Sequence, residues 1–183
     1  MGDTGVTQQQ LVKHIDEAYA MEQNVLRMLD SMIETTTDPV VREALQEHRA
    51  ETEQHAARLK ERLEAHDSSP SGVREAVGIM GALMKGLVDA ARGEKAGRNA
   101  RDGYTTEHLE IASYQLLERV AAMAGDEATA GVARRNRADE EAMAQRLDGF
   151  WDKFATLSVE EERDDPERRQ PDRAPQPGLT PSD

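Results

Sequence analysis

The amino-acid sequence predicts an all-α protein folded as an antiparallel four-helix bundle, with a long crossover between the second and third helices. The composition favours helices over sheets, because Ala, Glu, Arg and Leu are abundant while only six residues are aromatic. Apolar residues also recur with the 3.6-residue helical period in four long segments. Short turns join the first two segments and the last two, and a long connection separates the pairs, which is one way to close such a bundle.

The first two helices are predicted over about residues 7–35 and 39–66. A capping-box pattern begins at Thr7 and indicates the start of the first helix. Asp38 can accept hydrogen bonds from the first amides of the second helix, and Pro39 suits its first position. These two helices are therefore expected to form an antiparallel hairpin.

The crossover begins with a cluster of helix-breaking residues at 67–72. Apolar residues over 73–92 then predict one short helix within the crossover. The third helix is expected to start between residues 98 and 105. After a short turn, Asp126 is the predicted cap of the fourth helix.

Three regions follow from this pattern. Residues 1–6 are expected to be a disordered N-terminus, and residues 7–157 the helical bundle, whose fourth helix carries apolar residues as far as Phe154. Residues 158–183 are expected to be a disordered, acidic and proline-rich tail, since they hold five of the seven prolines. With no fifth helix expected after the fourth, the sequence does not predict a hollow storage shell.

Charge and composition exclude several classes of function. A net charge of −13 would repel a phosphate backbone, so no nucleic-acid partner is expected. The lack of cysteine excludes disulfides, thiolate metal sites and a cysteine nucleophile. No secretory signal and no apolar run of about 18 residues is visible, so we expect a cytoplasmic protein without a membrane partner. A homodimer is expected because it is the commonest assembly of soluble proteins.

Acidic residues and histidines lie on or beside the apolar stripe near the middle of each of the four helices. They are Glu22 on the first helix, His48, Glu51 and His55 on the second, Glu107 and Glu110 on the third, and Glu140 on the fourth. A single glutamate on such a stripe more often keeps its carboxylate in water. Four buried together would each cost several kcal/mol if unpaired, and only Arg62 could face inward to balance them.

A pair of metal ions would supply the missing positive charge. Carboxylate and imidazole ligands suit iron or manganese, and the lack of cysteine removes the softer alternatives. Di-iron bundles use a glutamate from each of two helices and Glu-x-x-His from each of the other two. This chain departs from that pattern, since His55 follows Glu51 at offset four and Met143 stands three residues after Glu140.

Three segments resemble the YciE/YciF family of ferritin-like stress proteins, and the resemblance runs over about residues 11 to 155. The segments are DEAYAMEQNVLRML (16–29), EHRAETEQHAARL (47–59) and EHLEIASYQLL (107–117). The resemblance implies a ferritin-like fold, a dinuclear metal site and a ferroxidase-type activity. It also implies five metal ligands, which are Glu22, Glu51, Glu107, Glu110 and Glu140.

Four further residues are candidates near these ligands. His55, which shares the helical face, is a sixth candidate ligand, and His48 matches a histidine that is common in the family, either as a ligand or beside the ligands. Tyr19 and Tyr114 are expected next to the site. There, a hydrogen bond to a carboxylate competes with plain core packing as their role.

Three functions remain open from the sequence. The first is a di-iron site, with two ions per chain, that oxidises Fe(II) with dioxygen or peroxide and so protects against oxidative stress. The second is a manganese site that disproportionates peroxide, because both metals accept this ligand set. The third is a non-enzymatic helical scaffold with a vestigial site, which the missing second Glu-x-x-His favours.

Overall fold

The structure is a computed structural model that describes residues 3–71 and 96–164. Within these ranges the chain contains no strand and forms five helices, which are α1 (Asp3–Thr35), α2 (Pro39–Ala65), α3 (Ala96–Ala124), α4 (Glu127–Asp148) and α5 (Trp151–Asp164). Helix α1 packs on α2 and α3, and α4 packs on α3 and α2, so the four long helices close into a bundle. The predicted all-α four-helix bundle is therefore confirmed.

Two predicted features lie outside the described residues. They are the short crossover helix over 73–92 and the part of the predicted disordered tail over 165–183. Among the residues that are described, no helix combines the length and apolar character that crossing a membrane requires.

The turn between α1 and α2 has the predicted chemistry. The Asp38 side chain accepts hydrogen bonds from the backbone amides of Val40 and Val41, at 2.9 and 3.0 Å, and Pro39 opens the helix. The amides at a helix start lack partners within the helix, so a capping aspartate stabilises it. Lys153 of α5 also donates to Asp38 at 2.9 Å, which fixes the turn against the last helix.

The turn between α3 and α4 depends on Gly125 and Asp126. Gly125 has a φ of 73°, in the left-handed region that favours glycine, and its conformation ends α3. The Asp126 carboxylate caps α4 by accepting from the Thr129 amide at 3.0 Å. It also accepts from Arg62 at 3.1 Å and from His66 at 2.8 Å, so one side chain joins the end of α2 to the start of α4.

Replacing Asp126 with alanine should lower the free energy of unfolding by about 1–2 kcal/mol, the usual cost of losing a helix cap. The loss should exceed that of Glu61→Ala, a control on the exposed face of α2. Urea denaturation of the two variants beside the wild type measures this difference. Equal stability of both variants would show that the junction contributes nothing.

The ends of the domain differ from the sequence prediction. Helix α1 begins at Asp3 rather than Thr7, so the prediction of a disordered segment over residues 1–6 is wrong for residues 3–6. No proline interrupts this stretch, and a threonine is tolerated inside a helix, so the capping-box pattern at Thr7 does not mark the helix start.

The fourth predicted helix is in fact two helices, α4 and α5, which corrects the prediction that no helix follows the fourth. The chain turns at Gly149 and Phe150, and Phe154 of α5 is buried against the core. Glu161 of α5 accepts a hydrogen bond from the Ala96 amide at the start of α3, at 2.9 Å. Residues 158–164 are therefore helical rather than part of a tail, and the reason for excluding a hollow shell no longer holds.

Candidate metal centre

Six ionisable side chains are buried together at the centre of the bundle. Each is at most 1% exposed, and they are Glu22 of α1, His48 and His55 of α2, Glu107 and Glu110 of α3, and Glu140 of α4. Among the described residues no lysine or arginine is buried. The four carboxylates therefore lack any buried side-chain cation except the two imidazoles.

The cluster consists of two groups that share Glu140. His48, Glu107, Glu110 and Glu140 form one group, and Glu22, His55 and Glu140 form the other. Within each group the candidate ligand atoms lie within 4.8 Å of one another. Two ligand atoms about 2.1 Å from a common ion are at most about 4.2 Å apart, so small side-chain movements would complete either group around an ion.

Individual distances support this spacing. His48 Nε2 lies 3.2 Å from Glu107 Oε1 and 3.6 Å from Glu140 Oε2. His55 Nδ1 lies 2.8 Å from Glu140 Oε1 and 3.8 Å from Glu22 Oε2. Glu140 thus directs one carboxylate oxygen to each group, as expected of a bridging ligand.

The polar atoms that face the centre have no hydrogen-bond partners. They include both oxygens of Glu110, both of Glu140, one each of Glu22 and Glu107, and the inward nitrogens of His48 and His55. Although His55 Nδ1 is close to Glu140 Oε1, that contact lacks hydrogen-bond geometry. Buried polar atoms are rarely left unpaired, so this donor set fits metal ions well.

The buried carboxyls resist ionisation in the absence of metal. Burial is the largest cause of a raised pKa at Glu22, Glu110 and Glu140. At Glu110 burial and then repulsion from the carboxylates of Glu140, Glu22 and Glu107 raise the pKa well above its usual value. Positive charge in the centre would offset both effects.

The two histidines have raised pKa values because of the charges near them, not because of burial. Burial lowers the pKa of each, but neighbouring carboxylates outweigh it. Glu107 contributes most to the raised pKa of His48, and Glu140 and Glu22 raise the pKa of His55 to about 10. Without metal His55 is therefore protonated at neutral pH, and the neighbouring carboxylates also favour the protonated form of His48.

Metal binding should release protons at neutral pH, because ligating imidazoles and carboxylates must be deprotonated. Affinity should therefore rise with pH. The folding stability of the metal-free protein should change with pH in the opposite direction. The raised pKa of His55 stabilises the fold fully below the histidine pKa of the unfolded chain, about 6.5, and this contribution is lost as the pH rises through about 10. Calorimetric titration with Mn(II) in buffers of different ionisation enthalpy measures the proton release. A heat independent of the buffer would contradict the expectation.

Each histidine is held from outside by a second carboxylate. His48 Nδ1 lies 3.4 Å from Glu51 Oε2, and His55 Nε2 lies 3.1 Å from Asp139 Oδ2. Both carboxylates reach the surface, with side chains 48% and 35% exposed. A carboxylate on the outer nitrogen of a ligating histidine orients the ring and raises its basicity.

Tyr114 holds Glu22 from within the core. Its hydroxyl donates a hydrogen bond to Glu22 Oε1 and accepts one from the Asn136 side chain at 2.9 Å. Arg58 in turn donates to Asn136 at 2.9 Å, so this chain of bonds reaches the half-buried side of α2. Burial, followed by the charge of Glu22, raises the pKa of Tyr114 well above its usual value, so the phenol keeps its proton.

The structure brings together most of the residues predicted for the site, but two of them lie elsewhere than predicted. His48 faces into the cluster, while Glu51, predicted as a ligand, lies outside it because it flanks the inward face of α2. Tyr114 contacts a candidate ligand, whereas Tyr19 is half-buried at the margin of the core. Asp139 was missed by the sequence analysis. Asp139 could have been recognised in the sequence because it directly precedes Glu140, which faces inward. It therefore flanks the inward face of α4, as Glu51 flanks that of α2.

Removing either outer carboxylate should weaken metal binding by about 10–100-fold, the usual effect of losing such a partner. The variants are Glu51→Gln and Asp139→Asn, with Glu53→Gln on the exposed face of α2 as the control. Competition with a coloured chelator measures the affinity. Affinities equal to that of the control would mean that the outer carboxylates do not position the histidines.

Comparison with known proteins places this architecture in a family. The family model described as a domain of unknown function, DUF892, matches residues 7–160. The chain belongs to this family. The match covers α1 from residue 7 onward, the whole of α2, α3 and α4, and every residue of the cluster.

Solved structures agree with the assignment to DUF892. The XCC3681 protein of Xanthomonas campestris is 25% identical, with a TM-score of 0.71 over 86% of this chain and 98% of that one. The stress protein YciF of E. coli is 19% identical, with a TM-score of 0.69 over 90% and 100%. The resemblance to a YciF-like family is therefore confirmed.

A more distant neighbour shares the same fold. A structure described as ferritin-like, diiron-carboxylate proteins from Bacillus anthracis is 16% identical, with a TM-score of 0.66 over 82% of this chain and 99% of that one. At such identity the likeness concerns the ferritin-like bundle alone. The buried His/Glu cluster of this DUF892 chain is compatible with a dinuclear metal site in that bundle.

Proposed function

We propose that the protein binds two iron ions in its central cluster and oxidises Fe(II) with dioxygen or peroxide. One observation carries the proposal. Four buried carboxylates and two imidazoles converge with unpaired atoms, and no buried lysine or arginine balances them in the described part of the chain. Two divalent ions would balance the four carboxylates once the histidines are neutral.

The two groups assign the ligands. His48, Glu107 and Glu110 would hold one ion, Glu22 and His55 the other, and Glu140 would bridge them. This set contains five of the six ligands predicted from sequence, with His48 in place of Glu51. Both imidazoles come from α2, two helical turns apart.

Iron fits this donor set because oxygen and imidazole ligands suit it and the chain has no cysteine. When bound, each Fe(II) supplies one electron, so two ions reduce one dioxygen to peroxide with the uptake of two protons, or one peroxide to two waters. The protein supplies the holding groups. Tyr114 keeps the Glu22 carboxylate in place, and the outer carboxylates keep the imidazoles oriented.

Anaerobic loading with Fe(II), followed by exposure to air, tests the proposal. We expect about two ions to bind per chain, and ferric absorbance to appear with about one dioxygen consumed for each pair of ions. A protein loaded with Mn(II) that evolves oxygen from peroxide would instead favour a catalase-like function. Binding of neither metal would leave a helical scaffold.

The proposed physiological role is protection against oxidative stress, since the reaction removes Fe(II), which would otherwise react with peroxide in solution. We also propose a homodimer as the assembly. Sedimentation equilibrium of the whole chain distinguishes a dimer from a larger shell.

A further inference from the structure

A small apolar cavity adjoins the metal centre. It has a volume of about 30 Å³, room for about two water-sized molecules, and residues of all five helices line it. Met32, Met143 and Leu147 are among its walls, and each is at most 4% exposed. Glu107, a candidate ligand, also forms part of the wall. The cavity thus reaches the metal centre on the side of the His48 group.

The other end of the cavity lies at the turn between α1 and α2. Thr36 and Thr37 line it there, and Thr37 is exposed. The lining therefore extends from a surface turn to a ligand of the buried cluster. The other walls are mostly aliphatic, aromatic and thioether side chains. Thr35, Asn99 and Glu161 also line the cavity, and each of them is hydrogen-bonded within the protein.

We propose that this cavity admits dioxygen to the metal centre and that dioxygen, rather than peroxide, is the oxidant. The inference rests on the proposed oxidation of Fe(II). Dioxygen is small, uncharged and apolar, so it loses no hydrogen bonds on entering such a cavity. Peroxide and hydrated Fe(II) would lose theirs at a cost of several kcal/mol in the absence of polar partners. Each of two Fe(II) ions gives one electron, and dioxygen takes both electrons and two protons to leave as peroxide.

Gly103 of α3 lines the cavity beside Leu147 and Met32. A Cβ atom at this position would lie 3.7 Å from Leu147 Cδ1 and 3.9 Å from Met32 Cε, which are ordinary contacts. Alanine therefore fits without moving its neighbours but occupies cavity space, and leucine would fill more of it. Gly131 of α4 is a matched control, because a Cβ there meets only the end of the Arg134 side chain at 3.9 Å.

Paramagnetic relaxation by dissolved dioxygen tests entry into the cavity without any activity. We expect the methyl signals of Met32 and Met143 to relax faster under oxygen than that of Met28, which is equally buried but does not line the cavity. The excess should shrink in Gly103→Ala and disappear in Gly103→Leu, and should persist in the Gly131 variants. Equal relaxation of all three methyl groups in the wild type would overturn the proposal.

Oxidation kinetics with iron-loaded protein test the choice of oxidant. Gly103→Leu should slow oxidation by dioxygen about tenfold, and Gly103→Ala should slow it less, while oxidation by peroxide changes by less than about twofold. Equal slowing with both oxidants would overturn the selectivity. If oxygen relaxes the cavity methyls but no variant or wild type oxidises Fe(II), the proposed function fails, and delivery to a metal centre fails with it.

Discussion

Replacing Glu140 with glutamine should remove both metal ions from the protein, the largest effect that we expect from any single substitution. Glu140 directs one oxygen to each ligand group, while every other candidate ligand belongs to one group only. An amide is a weaker ligand than a carboxylate and has only one oxygen to offer. Elemental mass spectrometry of purified protein should give about two ions per chain for the wild type and about none for the variant.

Two companion variants make this prediction specific. Glu22→Gln alters only the smaller group and should leave about one ion per chain. Glu141→Gln, the next residue after Glu140, has an exposed side chain that pairs with Arg137 and should retain both ions. If Glu22→Gln and Glu140→Gln lose equal amounts of metal, Glu140 does not bridge two sites.

Features that depend on local spacing could be predicted from the sequence. The caps at Asp38 and Asp126 need only a few neighbouring residues, and both are present. The burial of Glu22, Glu110 and Glu140 follows from the helical period, since each lies at the centre of an apolar stripe. The periodicity could not rank Glu107 against Glu110, and the structure buries both.

Features that depend on contacts distant in sequence could not be predicted. Helix α5 is fixed by Lys153 against Asp38 and by Glu161 against the start of α3, and neither contact leaves a local pattern. The positions of His48 and Glu51 have a different cause. The helical period places His48 on the inward face of α2 and Glu51 beside it, whereas the family resemblance implied Glu51 as a ligand.

Glu110→Gln should change stability with opposite sign in the absence and presence of metal. Both Glu110 oxygens are buried without hydrogen-bond partners, and burial with repulsion from three other carboxylates raises its pKa well above the usual value. Removing the charge should therefore stabilise the metal-free protein, by about 1–3 kcal/mol. For a chain of this size that raises Tm by about 3–10 °C.

The pH dependence of the metal-free effect has a definite sign. A raised folded pKa means that the protonated carboxyl is favoured in the native state, so Glu110 costs little stability below the unfolded pKa of about 4.3. The cost grows as the pH rises from there through the raised folded pKa. The stabilisation by Glu110→Gln should accordingly be small in acid and larger at neutral pH.

With metal bound, the wild type should be more stable than Glu110→Gln. An ion that binds only the folded state stabilises it by about 3–4 kcal/mol at concentrations of 100 to 1,000 times its Kd, and Glu110 is part of the larger ligand group. The variant should lose much of that gain and melt below the metal-loaded wild type.

Thermal unfolding by circular dichroism, with chelator and with Mn(II), measures the Tm of the wild type and of Glu110→Gln in both conditions. Glu118→Gln on the same helix, which loses ion pairs with Arg134 and Arg137, should lower Tm alike in both states. A buried relic would give a stabilised variant in both conditions, whereas only a working metal ligand inverts the order.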